Sequence, residues 1–125
     1  MTTDPISDFL IRLQNASLVK KNTVEAPYSA MKHAIAKVLV SEGYLGTVSK
    51  KNNSLVVELK YAGRPAITGV KRISKPSRRM YLGVRDIRPV KRGHGLLVLS
   101  TPNGVVTGKD AMVARVGGEA LFEIW

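Results

Sequence analysis

No cysteine occurs anywhere in the 125 residues. Disulfides, thiolate nucleophiles and cysteine-based zinc sites are therefore excluded. Imidazole is nearly as scarce. Only His33 and His94 are present, and no carboxylate cluster accompanies either, so the sequence predicts no metal site and no cofactor. No stretch approaches the ~20 apolar residues of a membrane-spanning helix. The segment from Met1 to Asp8 holds two acids and no apolar run of signal-peptide length. The expectation is a soluble protein with no membrane contact that stays in the cytoplasm.

Acids are scarce where bases are dense. From Lys71 to Arg92 the chain carries Lys71, Arg72, Lys75, Arg78, Arg79, Arg85, Arg88, Lys91 and Arg92 against Asp86 alone. Such a density repels itself, and a compact fold tolerates it better beside a polyanion whose counterions Lys and Arg can replace. An isolated run of this kind reads equally well as a solvated face. The whole chain has a net charge of +11, as a nucleic-acid binder does. With 44% hydrophobic residues it is not a disordered tail, so the bases sit on a folded scaffold.

Two modules are legible. Asp4-Pro5 predicts a helix start, because Asp accepts from free N–H groups and Pro is tolerated at the first helical position. Ile6, Phe9, Leu10 and Leu13 follow at helical spacing, to about Ser17. Lys20-Lys21-Asn22 reads as a basic loop and Thr23 to Ala26 as a short strand ended by Pro27. Ser29 is the expected cap of a second helix. Its buried face is Met31, Ala34, Ile35, Val38 and Leu39, with Lys32 and Lys37 turned away and Gly43 as its stop. Tyr44 to Ser49 and Ser54 to Tyr61 read as a hairpin around Asn52-Asn53, with Leu55, Val57, Leu59 and Tyr61 on one side. Gly63-Arg64-Pro65 marks the break, giving modules over 1–64 and 65–125.

The second module reads as mostly β. Ile67 to Ile73 is an expected strand, Ser74-Lys75-Pro76-Ser77 a turn, Arg79 to Leu82 a return strand, and Asp86 to Val90 a helical turn. Leu96 to Leu99 is a continuous apolar run suited to a buried strand. Thr107 to Arg115 is a short helix with Thr107 and Asp110 in a capping-box-like arrangement, stopped by Gly117-Gly118. Glu119 to Trp125 is a final strand with Ala120, Phe122 and Ile124 on one face.

Several residues carry candidate chemistry. Ser100-Thr101-Pro102-Asn103-Gly104 follows the buried strand, and a sheet presents such a loop rigidly. Its hydroxyls and N–H groups suit base edges and 2′-hydroxyls; the plainer reading is an ordinary turn. Gly117-Gly118-Glu119 reads as a helix stop and strand start. Functionally it allows close backbone approach to a ligand, with Glu119 accepting from a base amino group or orienting a neighbouring loop. Tyr81 offers a ring for stacking or a hydroxyl for phosphate, against the plainer reading of a core tyrosine. Gly93-His94-Gly95 fails as a dinucleotide fingerprint. No nucleophile elbow surrounds any serine, which leaves His94, Ser100 and Asp110 without the setting of a triad. His33 reads as structural or solvated.

The stretch LLVLSTPNGVVTGKDAMVARVGGEALFEIW resembles the C-terminus of the bacterial small ribosomal subunit protein eight family. That family ends in a strand, an STSKG-like loop, a VMT-capped helix and a GGE strand. DPISDFLIRLQNA is similar to its opening helix and YSAMKHAIAKVLVSEGYL to its second helix. VKRISKPSRRMY is similar to its basic turn, with Ser77 where Gly is usual. The resemblance covers essentially the whole chain, in order. It implies an α+β protein: an N-terminal helix–strand–helix–hairpin module and a C-terminal, mainly antiparallel β module with one short helix. It also implies a structural constituent of the small ribosomal subunit, without catalysis, neighboured by other small-subunit proteins. The family binds an irregular helix in the central domain of the small-subunit ribosomal RNA and assists its assembly. In several bacteria it also represses its own operon through a mimic on the messenger RNA.

The resemblance places the main RNA contacts at Ser100, Thr101, Pro102, Asn103 and Gly104, at Tyr81, and at Gly117, Gly118 and Glu119. Lesser contacts fall at Asn15, Ser29 and Lys32. Charge assigns phosphate contacts to Lys75, Arg78, Arg79, Lys91 and Arg92. The chain departs from the family at Pro102, usually Ser, which has no N–H to donate. It departs again at Asn103, usually Lys, at Gly108, usually Asp, at Ala30, often Lys, and at His94, commonly apolar. Two rivals stay open: a general nucleic-acid architectural protein that binds by charge and shape, and an RNA-acting enzyme using His94 or His33 as acid or base.

Overall fold

The computed structural model describes residues 4–61, 66–88 and 95–125. The predicted break at Gly63-Arg64-Pro65, the end of the helical turn expected at Asp86 to Val90, and Lys91, Arg92 and His94 lie outside the described residues. The chain divides into two compact units, Pro5–Thr68 and Asp4 with Gly69–Trp125.

In the first unit, α1 (Pro5–Leu18) starts at its proline and buries Phe9, Leu10, Leu13 and Ala16. Strand β1 (Thr23–Pro27) alternates, with Val24 and Ala26 inward. Helix α2 (Ala30–Ser41) opens on Ser29, whose hydroxyl accepts the Lys32 N–H at 3.1 Å. It closes at Gly43, φ +87°, with Gly43 N–H donating to Val40 O at 3.1 Å and Tyr44 N–H to Leu39 O at 2.9 Å. This is the paired-bond stop in which a left-handed glycine satisfies the last carbonyls. Strands β2 (Leu45–Lys51) and β3 (Ser54–Leu59) turn through Asn52, φ +56°. The sheet is antiparallel in the order β1-β3-β2, with Leu55, Val57 and Leu59 inward as the alternation requires.

The buried face of α2 differs from expectation: it is Lys32, Ile35, Ala36 and Leu39, while Met31 is exposed. Lys32, expected to turn away, lays its stem inward and donates its ammonium to Pro27 O at 3.1 Å. A lysine stem is apolar and is buried readily when its head finds a carbonyl.

The second unit contains β4 (Val70–Arg72), β5 (Tyr81–Leu82), a 3-10 turn at Val84–Asp86, β6 (Leu96–Thr101), β7 (Gly104–Thr107), α3 (Gly108–Ala114) and β8 (Gly118–Ile124). Among the described residues five strands form one antiparallel sheet, ordered β4-β8-β6-β7, with β5 also on β8. The apolar run is the central strand β6, flanked by β8 and β7, with Leu97, Val98 and Leu99 buried. Ile87, Leu97, Leu99, Ala111 and Ala120 pack as a core under α3.

Four expectations need correction here. β7 is a strand absent from the sequence reading; Val105 and Val106 simply extend the turn into a hairpin. The strand expected over Ile67 to Ile73 shortens to β4. Gly69 still exchanges both backbone bonds with Trp125 at 3.0 Å, and the indole lies 2.5 Å from where a Cβ would stand. β5 is no return strand along β4. Ser74 N–H donates to Ala120 O at 3.0 Å and Ala120 N–H to Met80 O at 2.9 Å, so residues 75–79 leave one edge line and rejoin it. Finally, α3 is capped by Thr107, which accepts Asp110 N–H at 3.1 Å, but its stop is Arg115, φ +57°, not Gly117-Gly118.

Strand β8 carries a bulge opposite Val98 and Leu99, which leaves Leu121 without a partner on β6 and buries it beside Ala120 and Phe122. Among the described residues no helix is long and apolar enough to cross a membrane, and no group of three or more His, Cys, Asp or Glu could hold a metal ion.

Candidate nucleic-acid interface

Strand pairing brings three of the expected residues into one row. Tyr81 on β5 pairs with Glu119 on β8, and Glu119 pairs with Ser100 on β6. Directly opposed residues share a face, and strands lie about 4.8 Å apart, so the row spans roughly 10 Å. Tyr81 is 70% exposed, which sets aside the core reading and leaves its ring free for a ligand. Ser100 is half-buried, and its hydroxyl has no partner among the described residues.

Glu119 anchors the basic turn. Its carboxylate accepts the Ser74 hydroxyl and Arg79 Nη1, the latter at 3.1 Å. Ser74 is fully buried, and its oxygen also accepts Met80 N–H at 3.1 Å. One serine thus ties both roots of the excursion to one acid. Beyond it, Lys75 and Arg78 exchange backbone bonds at 3.0 and 2.9 Å around Pro76-Ser77. These two bonds close the tip, and Lys75, Arg78 and Arg79 are exposed. Lys71, Arg72, Lys75 and Arg78 line a shallow depression floored by Ile73 and Met80, with Glu123 at its side. Arg72 is already committed: it donates to Asp4 at 3.0 and 3.3 Å and to Leu121 O at 2.5 Å.

The Ser100–Gly104 segment is not a loop beyond the strand but the hairpin itself. Ser100 and Thr101 end β6, Pro102 and Asn103 form the turn, and Gly104 opens β7 with φ +107°. Thr101 Oγ1 donates to Gly104 O at 2.8 Å and accepts Asn103 N–H at 3.1 Å. Its hydroxyl proton is therefore spent within the turn. Pro102 fits the first corner, where its fixed φ is favourable and no N–H is required.

Gly117 and Gly118 serve close approach, but to protein. A Cβ on Gly117 would stand 2.3 Å from Leu82 O, and one on Gly118 2.2 Å from Ser100 O. They let β8 enter between β5 and β6, and so bring Glu119 between Tyr81 and Ser100.

In the first unit, Asn15 is exposed on α1 and lines a shallow depression with Arg12, Val19, Lys21, Thr23 and Glu25. Ser29 and Lys32 are bonded within the β1–α2 junction. His33 meets the Tyr28 ring edge-on at 5.8 Å, and Lys50 Nζ stands 4.2 Å over that ring. Sequence reasoning missed Ser74. Its only signal was a small polar residue between apolar Ile73 and a basic turn, which gives no hint that Glu119 lies opposite.

The chain matches a family model described as Ribosomal protein S8 over residues 4–125. It is 48% identical to small ribosomal subunit protein uS8 of Oleidesulfovibrio alaskensis and 46% identical to that of Nitratidesulfovibrio vulgaris, covering all of both chains in each case. It is 40% identical to the uS8 protein of Persephonella marina, again over the full length of both.

Proposed function

The chain belongs to the ribosomal protein S8 family and is a non-enzymatic structural constituent of the small ribosomal subunit, and from that premise we propose that its second unit binds an irregular helix in the central domain of the small-subunit ribosomal RNA. The carrying observation is the row Tyr81–Glu119–Ser100, held on a sheet beside a basic turn that Glu119 itself anchors. Regular A-form RNA hides its base edges in a deep, narrow groove, so a flat row with a free ring and a free hydroxyl suits a distorted stem. The Tyr81 ring stacks, Ser100 and the Pro102-Asn103 turn meet base edges and ribose, and Lys75, Arg78 and Arg79 meet phosphates, joined by Lys91 and Arg92. Gly117, Gly118 and Gly104 allow the backbone geometry. Asn15, Ser29 and Lys32 make lesser contacts on the first unit, Ser29 and Lys32 from the β1–α2 junction that they bond together. Binding there helps the central domain assemble, and the same surface accepts a mimic of that helix on the operon messenger and represses its translation.

Footprinting the purified protein on small-subunit ribosomal RNA tests this reading. The expected result is protection confined to one irregular helix of the central domain. Equal affinity for duplex DNA and a central-domain fragment at physiological salt would overturn it in favour of a general architectural binder.

A further inference from the structure

The sheet of the first unit has two outer edges, β1 and β2, and they are treated differently. The phase of the ladder follows from its ends: Tyr28 N–H donates to Asn53 O at 2.8 Å, and Leu59 N–H to Asn22 O at 2.9 Å. Antiparallel partners alternate between bonded and unbonded pairs. In the observed register, Val24 and Ala26 therefore bond β3, while Thr23, Glu25 and Pro27 direct their backbone groups outward. That edge is stoppered. Arg12 Nη1 donates to Glu25 O at 3.1 Å, Lys32 Nζ donates to Pro27 O at 3.1 Å, and Pro27 has no N–H to offer. Charge, proline and covered carbonyls are the devices by which proteins close a strand edge.

The same phase runs through β3. Leu55 and Val57 bond β1, which leaves Ser54, Val56 and Glu58 to bond β2, and their partners are Lys51, Ser49 and Thr47. Val48 and Lys50 therefore present N–H and C=O along the outer edge of β2. Among the described residues no group bonds them. Past the bulge at Gly46 the strand is regular and largely exposed. Its charge is one-signed at the far end, where the consecutive Lys50 and Lys51 project to opposite faces of the strand, Lys50 over the Tyr28 ring, and Glu58 faces Thr47 at the near end.

We infer that this open β2 edge is the docking site for an extended segment of a neighbouring ribosomal protein, which adds a fourth strand and sets an Asp or Glu beside Lys50 on one face or Lys51 on the other. A ladder on this edge takes alternating N–H and C=O groups from its occupant, which a polypeptide supplies and a phosphodiester backbone does not. A lysine on each face of this strand end favours a segment carrying acids and opposes pairing in registers that bring like lysines of two copies opposite one another. The inference rests on the placement of the chain in the small subunit.

Residue-resolved amide exchange, on the free full-length protein and on purified small subunits containing it, tests this. In the free protein Val48 and Lys50 exchange freely while Thr47, Ser49 and Lys51 are protected. In the subunit, exchange at Val48 and Lys50 slows by at least about tenfold, as for amides entering a ladder. Carbodiimide then couples Lys50 or Lys51 to a carboxylate of a neighbouring protein. A second readout uses Lys50→Pro, which removes an outward N–H and leaves the β2–β3 bonds intact, against Lys50→Ala, which keeps it. Lys50→Pro is lost from salt-washed subunits several-fold more than Lys50→Ala, while both bind the RNA fragment as the wild type does. Unprotected amides at Val48 and Lys50 in a subunit that holds the chain overturn the inference and leave the RNA reading standing. Cross-links to RNA alone, or a dimer of the free chain with the same protection, also overturn it. Absence of the chain from the subunit is a different result and removes the premise itself. Should Lys50→Pro fail to fold, the exchange measurement on the wild-type chain still decides.

Discussion

Replacing Glu119 with alanine sets two ideas about this acid against each other by sign. As a bare negative charge among cations, Glu119 repels RNA, and its removal raises the net charge and tightens binding. As the anchor of the basic turn it does the reverse. Its carboxylate holds the hydroxyl of a fully buried serine and the guanidinium of Arg79. Stripping a buried hydroxyl of its acceptor costs about 1–3 kcal/mol. The Arg79 pair is half solvent-exposed and adds little, at most about 1 kcal/mol. We expect Glu119→Ala to lose about 1–3 kcal/mol in urea unfolding, and central-domain RNA affinity to fall despite the added positive charge. Glu119→Gln keeps an acceptor for Ser74 and loses the ionic pair, so its stability lies between the two. Filter binding at several salt concentrations separates the causes, since a charge effect shrinks as salt rises and a positioning effect does not. Tighter RNA binding by folded Glu119→Ala at every salt concentration would refute the anchoring role.

Other outcomes follow from the same geometry. Gly118→Ala places a methyl 2.2 Å from Ser100 O and should destabilise the protein by about 1–3 kcal/mol or more in urea unfolding; a loss under about 0.5 kcal/mol would mean that β8 shifts freely. Lys75→Ala should weaken binding of all RNAs alike and reduce the slope of log affinity against log salt by about one, whereas a sequence-selective loss would assign it to base readout. Burial first, and then the Glu42 carboxylate, push the Tyr44 phenol above its ordinary 10.0. A raised folded-state value favours the neutral phenol. Its contribution to stability is therefore complete below pH 10.0 and is lost as pH rises through the folded value. Urea midpoints above that pH should fall more steeply for wild type than for Tyr44→Phe; parallel curves would refute the assignment.

Most of the fold was readable because its signals are local. The Ser29 cap, the Gly43 stop, the alternation of β3 and the apolar run of β6 each declare themselves within a few residues. The failures came where a distant partner decides. Lys32 looks solvent-facing by helical phase, but Pro27 O lies within its reach and turns it inward. Arg79 to Leu82 looks like the return arm of a hairpin because a turn precedes it, yet both arms bond β8, which comes some forty residues later. Gly117-Gly118 looks like a helix stop because glycine often is one. Its necessity lies in the carbonyls of Leu82 and Ser100, which no local pattern reveals. The candidate site divides the same way. Its members were named from motif and charge, but their row across three strands is a product of register alone.

That register also gives the glycines and Glu119 a joint purpose. A row of ligand-facing side chains needs its strands close and in phase, and strands close in only where no Cβ intervenes. Gly117 and Gly118 clear that space, the bulge at Leu121 resets the phase, and Glu119 arrives between a tyrosine and a serine with its carboxylate aimed at the root of the basic turn. A disturbance at any of these points moves the hydroxyl, the ring and the cations together. Ser74→Ala should therefore impair RNA binding although Ser74 is fully buried. Unchanged affinity in a folded Ser74→Ala protein would separate the turn from the row and show that the two bind independently.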